Sequence, residues 1–185
     1  MSAEAHLSRF AALLREVAVP RGLVAESDLE RLYERHIEDS LRAVQVFSDE
    51  DHLAYDLGSG AGLPGIPLAI ALPRCRFVLA ESRQTRAAFL ELAVAELGLQ
   101  NVEVHAGRVE NLSRGADVCT ARAFAPLERA WPTAASLLRP AGRLIYFAGQ
   151  GLDDPELAAR EAPGADRDVR IILASGSPLV IMERK

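Results

Sequence analysis

The chain has 185 residues, of which 49% are hydrophobic and 25% are charged, and these values predict one soluble globular domain. The formal net charge of −5 argues against a strongly electrostatic, sequence-independent grip on nucleic acid. No apolar run is long enough to span a membrane, and the N-terminus lacks a secretory signal pattern. Cys75 and Cys119 have neither zinc-ligand nor redox-motif spacing, so we expect a cytoplasmic protein without a metal site.

The first part of the chain has the spacing of two helices. Apolar residues recur with helical periodicity over residues 4–18, and a proline–glycine break follows. Ser27 or Asp28 is a suitable N-cap for a second helix, which we expect to run to about Phe47. These helices form a predicted N-terminal flank over residues 1–48.

From residue 52 to the C-terminus, strand and helix patterns alternate, which predicts a parallel sheet with helices on both faces. The last two strands are separated by a short Ser-Gly-Ser-Pro turn, which allows an antiparallel hairpin but not a parallel crossover. We therefore predict a doubly wound, mostly parallel seven-stranded α/β sheet with N-terminal helices, and residues 52–185 form the core of a single domain. The predicted strands are 53–57, 76–80, 101–105, 116–121, 142–148, 168–174 and 179–183, and the predicted helices are 64–72, 83–97, 127–138 and 154–160.

A glycine-rich turn joins the first predicted strand to the next helix. Asp56 lies near the end of the strand, and Gly58, Gly60 and Gly62 follow it at alternate positions. Glycine allows positive φ angles and close approach of a ligand, and the start of the following helix offers unpaired N–H groups. Glu81 ends the next strand about twenty residues further on, where a carboxylate accepts hydrogen bonds from ribose hydroxyls. The turn therefore predicts a site for a cofactor that contains a nucleoside.

Two cofactor classes and one ligand-free interpretation are compatible with this turn. The segment from Gly60 to Gly65 matches the dinucleotide fingerprint as a pattern. A carboxylate at Asp56 repels a pyrophosphate but attracts the sulfonium and ammonium groups of S-adenosylmethionine, which favours that cofactor. A turn without a ligand is disfavoured because so many glycines weaken a fold that does not need them. The final hairpin also fits the methyltransferase variant of the Rossmann-like fold.

Further candidate residues follow the other strands, because ligands of open parallel sheets lie beyond the carboxyl ends of the strands. With S-adenosylmethionine as the ligand, Gly58 and Leu63 approach the methionine part and the ribose. Val109 offers the adenine an apolar contact, and Glu110 offers its amino group an acceptor. Arg122 lies where the methyl acceptor should arrive, and it is the candidate catalytic residue. Glu110 and Arg122 each also have a structural interpretation, as members of ordinary ion pairs.

Three motifs occur together in the chain. They are the run from Asp56 to Leu68, the Arg-His-x-x-Asp-Ser pattern that begins at Arg35, and the Ala-Arg-Ala-Phe segment around Arg122. In combination they resemble the bacterial small-subunit ribosomal RNA methyltransferase G family, the glucose-inhibited division protein B proteins. The resemblance covers roughly residues 30–150 and implies methylation of guanine N7 in 16S rRNA, with S-adenosylmethionine as the methyl donor.

The resemblance also implies roles for individual residues. It carries the cofactor-pocket role to the matching positions Gly58, Leu63, Val109, Glu110 and Arg122. It assigns Arg35, His36 and Asp39 to the helical flank over the pocket. The implied partner is 16S rRNA, within the small ribosomal subunit or its precursor, with no membrane and no metal.

Positively charged side chains at one rim of the predicted site are the expected RNA contacts. The candidates are Arg35, His36, Arg86 and Arg108. Guanine N7 carries an exposed lone pair and needs no prior loss of a proton. We therefore expect catalysis to depend on positioning and on fixed charge rather than on a general base.

The chain also departs from the family pattern, and this leaves two alternative functions open. Ala148 stands where the family usually has a lysine after the fifth strand. One alternative is S-adenosylmethionine-dependent methylation of a small molecule or a protein. The other is a degenerate cofactor-binding module without transfer activity.

Overall fold

A seven-stranded sheet forms the centre of the protein. The computed structural model describes residues 2–149, 154, 159–160, 162–163, 167–172 and 178–185. The strands are β1 (Leu53–Leu57), β2 (Arg76–Ala80), β3 (Val102–His105), β4 (Ala116–Arg122), β5 (Leu138–Phe147), β6 (Arg167–Ile172) and β7 (Leu179–Arg184). Their order in the sheet is β3-β2-β1-β4-β5-β7-β6. The pairs among β1 to β5 are parallel, whereas β7 is antiparallel to both β5 and β6. This confirms the predicted doubly wound sheet with a final antiparallel hairpin.

Helices cover both faces of the sheet. They are α1 (Ala3–Leu13), α2 (Asp39–Leu41), α3 (Gly65–Ala71), α4 (Gln84–Leu97) and α5 (Leu127–Leu137). Successive strand residues point to opposite faces, so Phe77 of β2 lies in the core beneath α1, α3 and α4, and Val78 lies in the core beneath α5. Trp131 of α5 is fully buried in that second core. Burial on both faces explains why the central strands are almost continuously apolar.

Element boundaries agree with the predictions for β1 and β2 and differ at β5. The strand begins at Leu138, directly after α5, rather than at residue 142. The register with β4 shifts between Ala116 and Val118, and Ala141 has a φ of 59°, so the β5 side bulges out of the ladder. The predicted helix over 154–160 and the end of the strand predicted over 168–174 lie largely outside the described residues.

The N-terminal flank is less regular than the two predicted helices. In place of one helix from residue 28 to 47, a 3-10 segment (Glu26–Arg31), a π segment (Tyr33–Glu38), α2 and a second 3-10 segment (Arg42–Val46) follow one another. The Ser40 hydroxyl donates to the His36 carbonyl, and Arg122 donates to the carbonyls of Arg35 and His36. We attribute the broken helix to these side-chain donors, because they compete for carbonyls that a regular helix uses internally.

A buried ion pair fastens the end of the flank to the sheet. Arg143 of β5 pairs with Asp51 and donates from Nη2 to the Val46 carbonyl at 2.8 Å. The Asp51 carboxylate also accepts a hydrogen bond from the Ser48 amide at 2.7 Å. The flank is therefore held at its C-terminal end by β5 and in its middle by Arg122 at the end of β4.

Candidate functional site

The glycine turn lies at the carboxyl end of β1, between β2 and β4. Gly58, Gly60 and Gly62 have φ angles of 68°, 57° and 84°, which lie in the left-handed region that favours glycine. A Cβ on Gly58 would lie 2.7 Å from the Phe124 ring, so this glycine is also required by close packing. A Cβ on Gly60 would meet no atom closer than 3.9 Å, so the turn is open on this side. The turn therefore leaves space for a ligand beside Gly60.

Asp56 lies beneath the turn rather than in its open face. Its side chain is buried, and its Oδ1 accepts a hydrogen bond from the Thr120 hydroxyl at 2.7 Å. Its Oδ2 has no hydrogen-bond partner among the described residues. Burial raises the pKa of Asp56 to about 6, although the hydrogen bond from Thr120 opposes the rise. We conclude that Asp56 puts a poorly solvated negative charge under the turn.

Glu81 connects the end of β2 to the turn. One carboxylate oxygen accepts from the Gly60 amide at 3.0 Å, and the other accepts from the Arg83 amide at 2.8 Å. Arg86 lies 4.0 Å from the same carboxylate. Each carboxylate oxygen has a second lone pair, so Glu81 retains acceptor capacity for the hydroxyls of a bound ligand.

The other predicted cofactor contacts differ in exposure. Val109 begins a short 3-10 turn after β3 (Val109–Asn111) and is buried. Glu110 is exposed and lies 3.9 Å from Arg108, which is 80% exposed. Leu63 is partly buried and packs against the core beneath α3. Val109 is thus a fixed apolar surface, whereas Glu110 and Arg108 have the exposed arrangement of an ordinary ion pair.

The guanidinium of Arg122, at the end of β4, is held by the flank. Its Nη2 donates to the Arg35 carbonyl at 3.1 Å and lies 3.0 Å from Nδ1 of His36. Its Nη1 donates to the His36 carbonyl and lies 3.5 Å from the Asp39 carboxylate. Burial lowers the pKa of Arg122, and the Asp39 carboxylate opposes that effect. The side chain of the candidate catalytic arginine is thus mostly buried and connects the end of β4 to the flank.

The contacts of His36 define its tautomer. Arginine only donates hydrogen bonds, so Nδ1 of His36 accepts from Arg122, and Nε2 carries the proton and donates to Asp28 at 3.0 Å. Burial, together with the charge of Arg122, lowers the pKa of His36 despite the opposing effect of Asp28. His36 is therefore neutral near pH 7, and both of its ring nitrogens are engaged.

A cleft of about 1740 Å³ lies between the flank and the carboxyl ends of β4 and β5. Its charged lining residues are Arg31, Arg35, Arg42, Arg122, Arg129, Glu34, Glu38, Asp39 and Glu128. Several of them pair with each other, as Arg31 does with Glu34 at 2.7 Å and Arg42 with Asp39 at 2.6 Å. An anionic ligand that enters the cleft must therefore compete with carboxylates for these arginines.

The segment after β4 forms one wall of the cleft. Ala123 has a φ of 52°, an uncommon conformation for a residue with a side chain, and it turns the chain so that Phe124 lies against Gly58. Phe124 thus contacts the glycine turn and also lines the cleft. The Tyr146 hydroxyl donates to the Ala125 carbonyl at 3.1 Å and supports this wall. Ala148 is buried at the edge of the cleft.

The structure groups the predicted site residues in three places. The group beside the cleft consists of Arg35, His36, Asp39 and Arg122. The group around the turn consists of Asp56, Gly58, Gly60, Gly62, Glu81 and Arg86. The group that follows β3 consists of Val109, Glu110 and Arg108. Sequence reasoning missed the contacts of Thr120 with Asp56 and of Asp28 with His36. The sequence pattern predicts Asp28 only as a helix cap, and it does not indicate that the carboxylate contacts Arg35 and His36.

In the part of the chain that the structure describes, no group of His, Cys, Asp or Glu side chains is arranged to hold a metal ion. Nor does any helix within it have the length and apolar character needed to cross a bilayer.

Comparison with known proteins identifies the family. Residues 3–169 match the family model described as rRNA small subunit methyltransferase G (GidB). A relative from Acidothermus cellulolyticus with the name ribosomal RNA small subunit methyltransferase G is 43% identical over 141 residues, which cover 76% of this chain and 63% of that protein. A relative of the same name from Solibacter usitatus is 44% identical over 139 residues, with coverage of 74% and 65%. The chain thus spans less than two thirds of the length of these relatives.

The solved structures support the same architecture. The O-methyltransferase TomG from Streptomyces achromogenes, in complex with S-adenosylmethionine, superposes with a TM-score of 0.64 at 22% identity, covering 97% of this chain and 89% of that one. At this identity the likeness is one of fold, and it agrees with the Rossmann-like sheet described above. The family resemblance expected from the three motifs is confirmed by the family model and the relatives. The chain therefore belongs to the rRNA small subunit methyltransferase G family.

Proposed function

We propose that this protein is an S-adenosylmethionine-dependent enzyme that methylates N7 of a guanine in 16S rRNA of the small ribosomal subunit. The observation that carries the proposal is the family match over residues 3–169. The site supports it, because the glycine turn and a large cleft meet at Phe124. We further propose that the enzyme acts as a single domain in the cytoplasm, on the subunit or its precursor.

The residues at the turn fit S-adenosylmethionine. Space is open beside Gly60, and the carboxylates of Asp56 and Glu81 provide negative charge and acceptors. Such groups suit a cationic ligand with ribose hydroxyls better than they suit a pyrophosphate. We assign Asp56, Gly58, Gly60, Gly62 and Glu81 to holding the methionine part and the ribose.

The remaining cofactor contacts are assigned to Leu63, at the end of the turn, and to two residues after β3. Leu63 completes the far side of the turn. Val109 gives the adenine an apolar surface, and Glu110 accepts a hydrogen bond from the adenine amino group. When bound, the cofactor supplies an electrophilic methyl group.

The acceptor side of the reaction is assigned to the cleft. Arg122 lies at its wall with a fixed guanidinium, which can donate to a guanine oxygen or to a phosphate. The attacking nitrogen needs no general base, and this agrees with His36, whose two nitrogens are already engaged with Asp28 and Arg122. Arg122 therefore contributes by orientation and by charge.

RNA contact is assigned to arginines around these sites. Arg35 lies at the cleft and Arg86 lies at the turn, so both can meet the backbone of an RNA whose base enters the cleft. Arg108, on the other side of Glu110, can meet a more distant phosphate. His36 contributes indirectly, because it holds Arg122.

The proposal is tested by incubation of the protein with radiolabelled S-adenosylmethionine and small subunits that lack the modification. The expected result is label at a single guanine of 16S rRNA, located by base-specific cleavage at N7-methylguanine. Transfer should weaken as salt is raised, since phosphate contacts release counterions. Cofactor binding by calorimetry without transfer to the subunits, or label elsewhere, would refute the proposed substrate.

A further inference from the structure

Asp28 connects the flank to Arg122 through two residues. Its side chain is 14% exposed; Oδ1 accepts from Nη1 of Arg35 at 2.6 Å, and Oδ2 accepts from Nε2 of His36 at 3.0 Å. The Arg122 guanidinium in turn bonds to the Arg35 carbonyl and to Nδ1 of His36. Both residues that accept hydrogen bonds from Arg122 are thus also bonded to Asp28, and among the described residues the remaining neighbour of the guanidinium is Asp39.

The contacts join two consecutive segments of the flank to the end of β4, which is far away in the sequence. Asp28 belongs to the first 3-10 segment of the flank (Glu26–Arg31), and Arg35 and His36 belong to the π segment that follows it. Arg122 is the last residue of β4. Because His36 accepts on one nitrogen and donates on the other, the ring transmits the position of Asp28 directly to the guanidinium. Without Asp28, the His36 ring and the Arg35 side chain lose a shared anchor, and the Arg122 guanidinium is held less firmly, by two backbone carbonyls and Asp39.

Two simpler roles for Asp28 do not account for its contacts. The 3-10 segment begins after Ala25 without a side-chain cap, so Asp28 is not the capping residue. An ordinary surface ion pair is exposed and weak, whereas the Asp28 carboxylate is mostly buried and has two partners. A carboxylate that orients a histidine is a common way to fix a functional side chain.

We propose that Asp28 is a positioning residue for methyl transfer, which holds Arg35 and His36 so that they fix the Arg122 guanidinium at the acceptor side of the cleft. The inference rests on the proposed function, because that function assigns Arg122 to the acceptor. Asp28 acts through its two partners on the flank, so its effect falls on the transfer step and not on the glycine turn.

The first test compares Asp28→Asn with Glu30→Gln, which removes the same charge from an exposed position of the same segment. Asp28→Asn should lower kcat for transfer to small subunits by about tenfold to a hundredfold, a loss typical of a misplaced group. The KM for S-adenosylmethionine should not change, and Glu30→Gln should behave like the parent. In an Arg122→Ala background, Asp28→Asn should have no further effect on kcat. Equal rates for Asp28→Asn and Glu30→Gln, or additive losses with Arg122→Ala, would overturn the proposal.

The second test needs no substrate, so it separates this inference from the proposed function. The His36 ring is followed by NMR during a pH titration of the parent and of Asp28→Asn. The pKa of His36 should fall in the variant, because the Asp28 carboxylate raises it in the parent. Thermal unfolding of Asp28→Asn, Arg122→Ala and the double variant should show non-additive losses. An unchanged His36 pKa or additive losses would overturn the connection, even if the parent transferred no methyl group.

Discussion

Substitution of Gly58 by alanine tests the contact between the glycine turn and the cleft. The new Cβ would meet two costs, a φ of 68° and a distance of 2.7 Å to the Phe124 ring. Gly98, which caps α4, is a matched control, because its φ of 63° is similar and a Cβ there would meet nothing within 4 Å. The control isolates the backbone cost from the steric one.

The expected magnitudes follow from these two costs. Gly98→Ala should lower the free energy of unfolding by about 1–2 kcal/mol, the cost of the left-handed conformation. Gly58→Ala should lower it by a further ~1–3 kcal/mol from overpacking against Phe124. For a domain of this size the further loss corresponds to roughly 2–12 °C in Tm. In a Phe124→Ala background, Gly58→Ala should cost only as much as Gly98→Ala.

Denaturant unfolding measures the stabilities, and calorimetric titration with S-adenosylmethionine measures the ligand site. Gly58→Ala should weaken cofactor binding, whereas Gly98→Ala should leave it unchanged. If the two variants were equally stable in the parent background, the reasoning about the Phe124 contact would be refuted. If Gly58→Ala bound the cofactor normally, the assignment of this glycine to the pocket would fail.

Three further predictions concern buried charges. Burial raises the pKa of Asp56 from 3.8 to about 6, so the free energy of unfolding should fall by up to about 3 kcal/mol as pH rises between these two values. In denaturant titrations, Asp56→Asn should remove most of this pH dependence. The pKa of His36 is lowered below 6.5, so its contribution to stability is complete above that pH and is lost as pH falls; a His36→Asn protein whose stability fell as steeply in acid would contradict this. Asp51→Asn, which breaks the buried pair with Arg143, should cost about 3–5 kcal/mol in thermal unfolding. The same change at the exposed Asp49 should cost less than about 1 kcal/mol, and similar losses at both positions would refute the role of burial.

Local patterns in the amino-acid sequence were sufficient to predict most of the fold. Apolar runs separated by turn residues predicted the central strands, because a strand buried on both faces is almost continuously hydrophobic. The short Ser-Gly-Ser-Pro turn predicted the antiparallel hairpin of β6 and β7, because a parallel crossover needs a longer connection. The bulge in β5 was not predicted, since it depends on how Ala141 meets the neighbouring strand.

The candidate site was predicted in part. The positions of Gly58 and Glu81 followed from the strand-turn-helix pattern, because the carboxyl ends of parallel strands meet at one edge. The hydrogen bond from the Gly60 amide to Glu81 required the folded protein, as did the burial of Asp56 beneath the turn. The second helix of the flank was predicted as continuous, and its break follows from Ser40 and from Arg122, which lies far away in the sequence.

The amino-acid sequence by itself determined the sheet, the glycine turn and the family, because these depend on residue types at short and regular spacing. Only the tertiary structure decided what Arg122 does, because its partners Arg35 and His36 lie 87 and 86 residues away. The partners of Asp28 lie only 7 and 8 residues away, but their arrangement depends on the irregular shape of the flank, which the sequence pattern did not predict. Hydrogen bonds of this kind depend on distances and directions between elements, and a linear pattern of residues does not contain them.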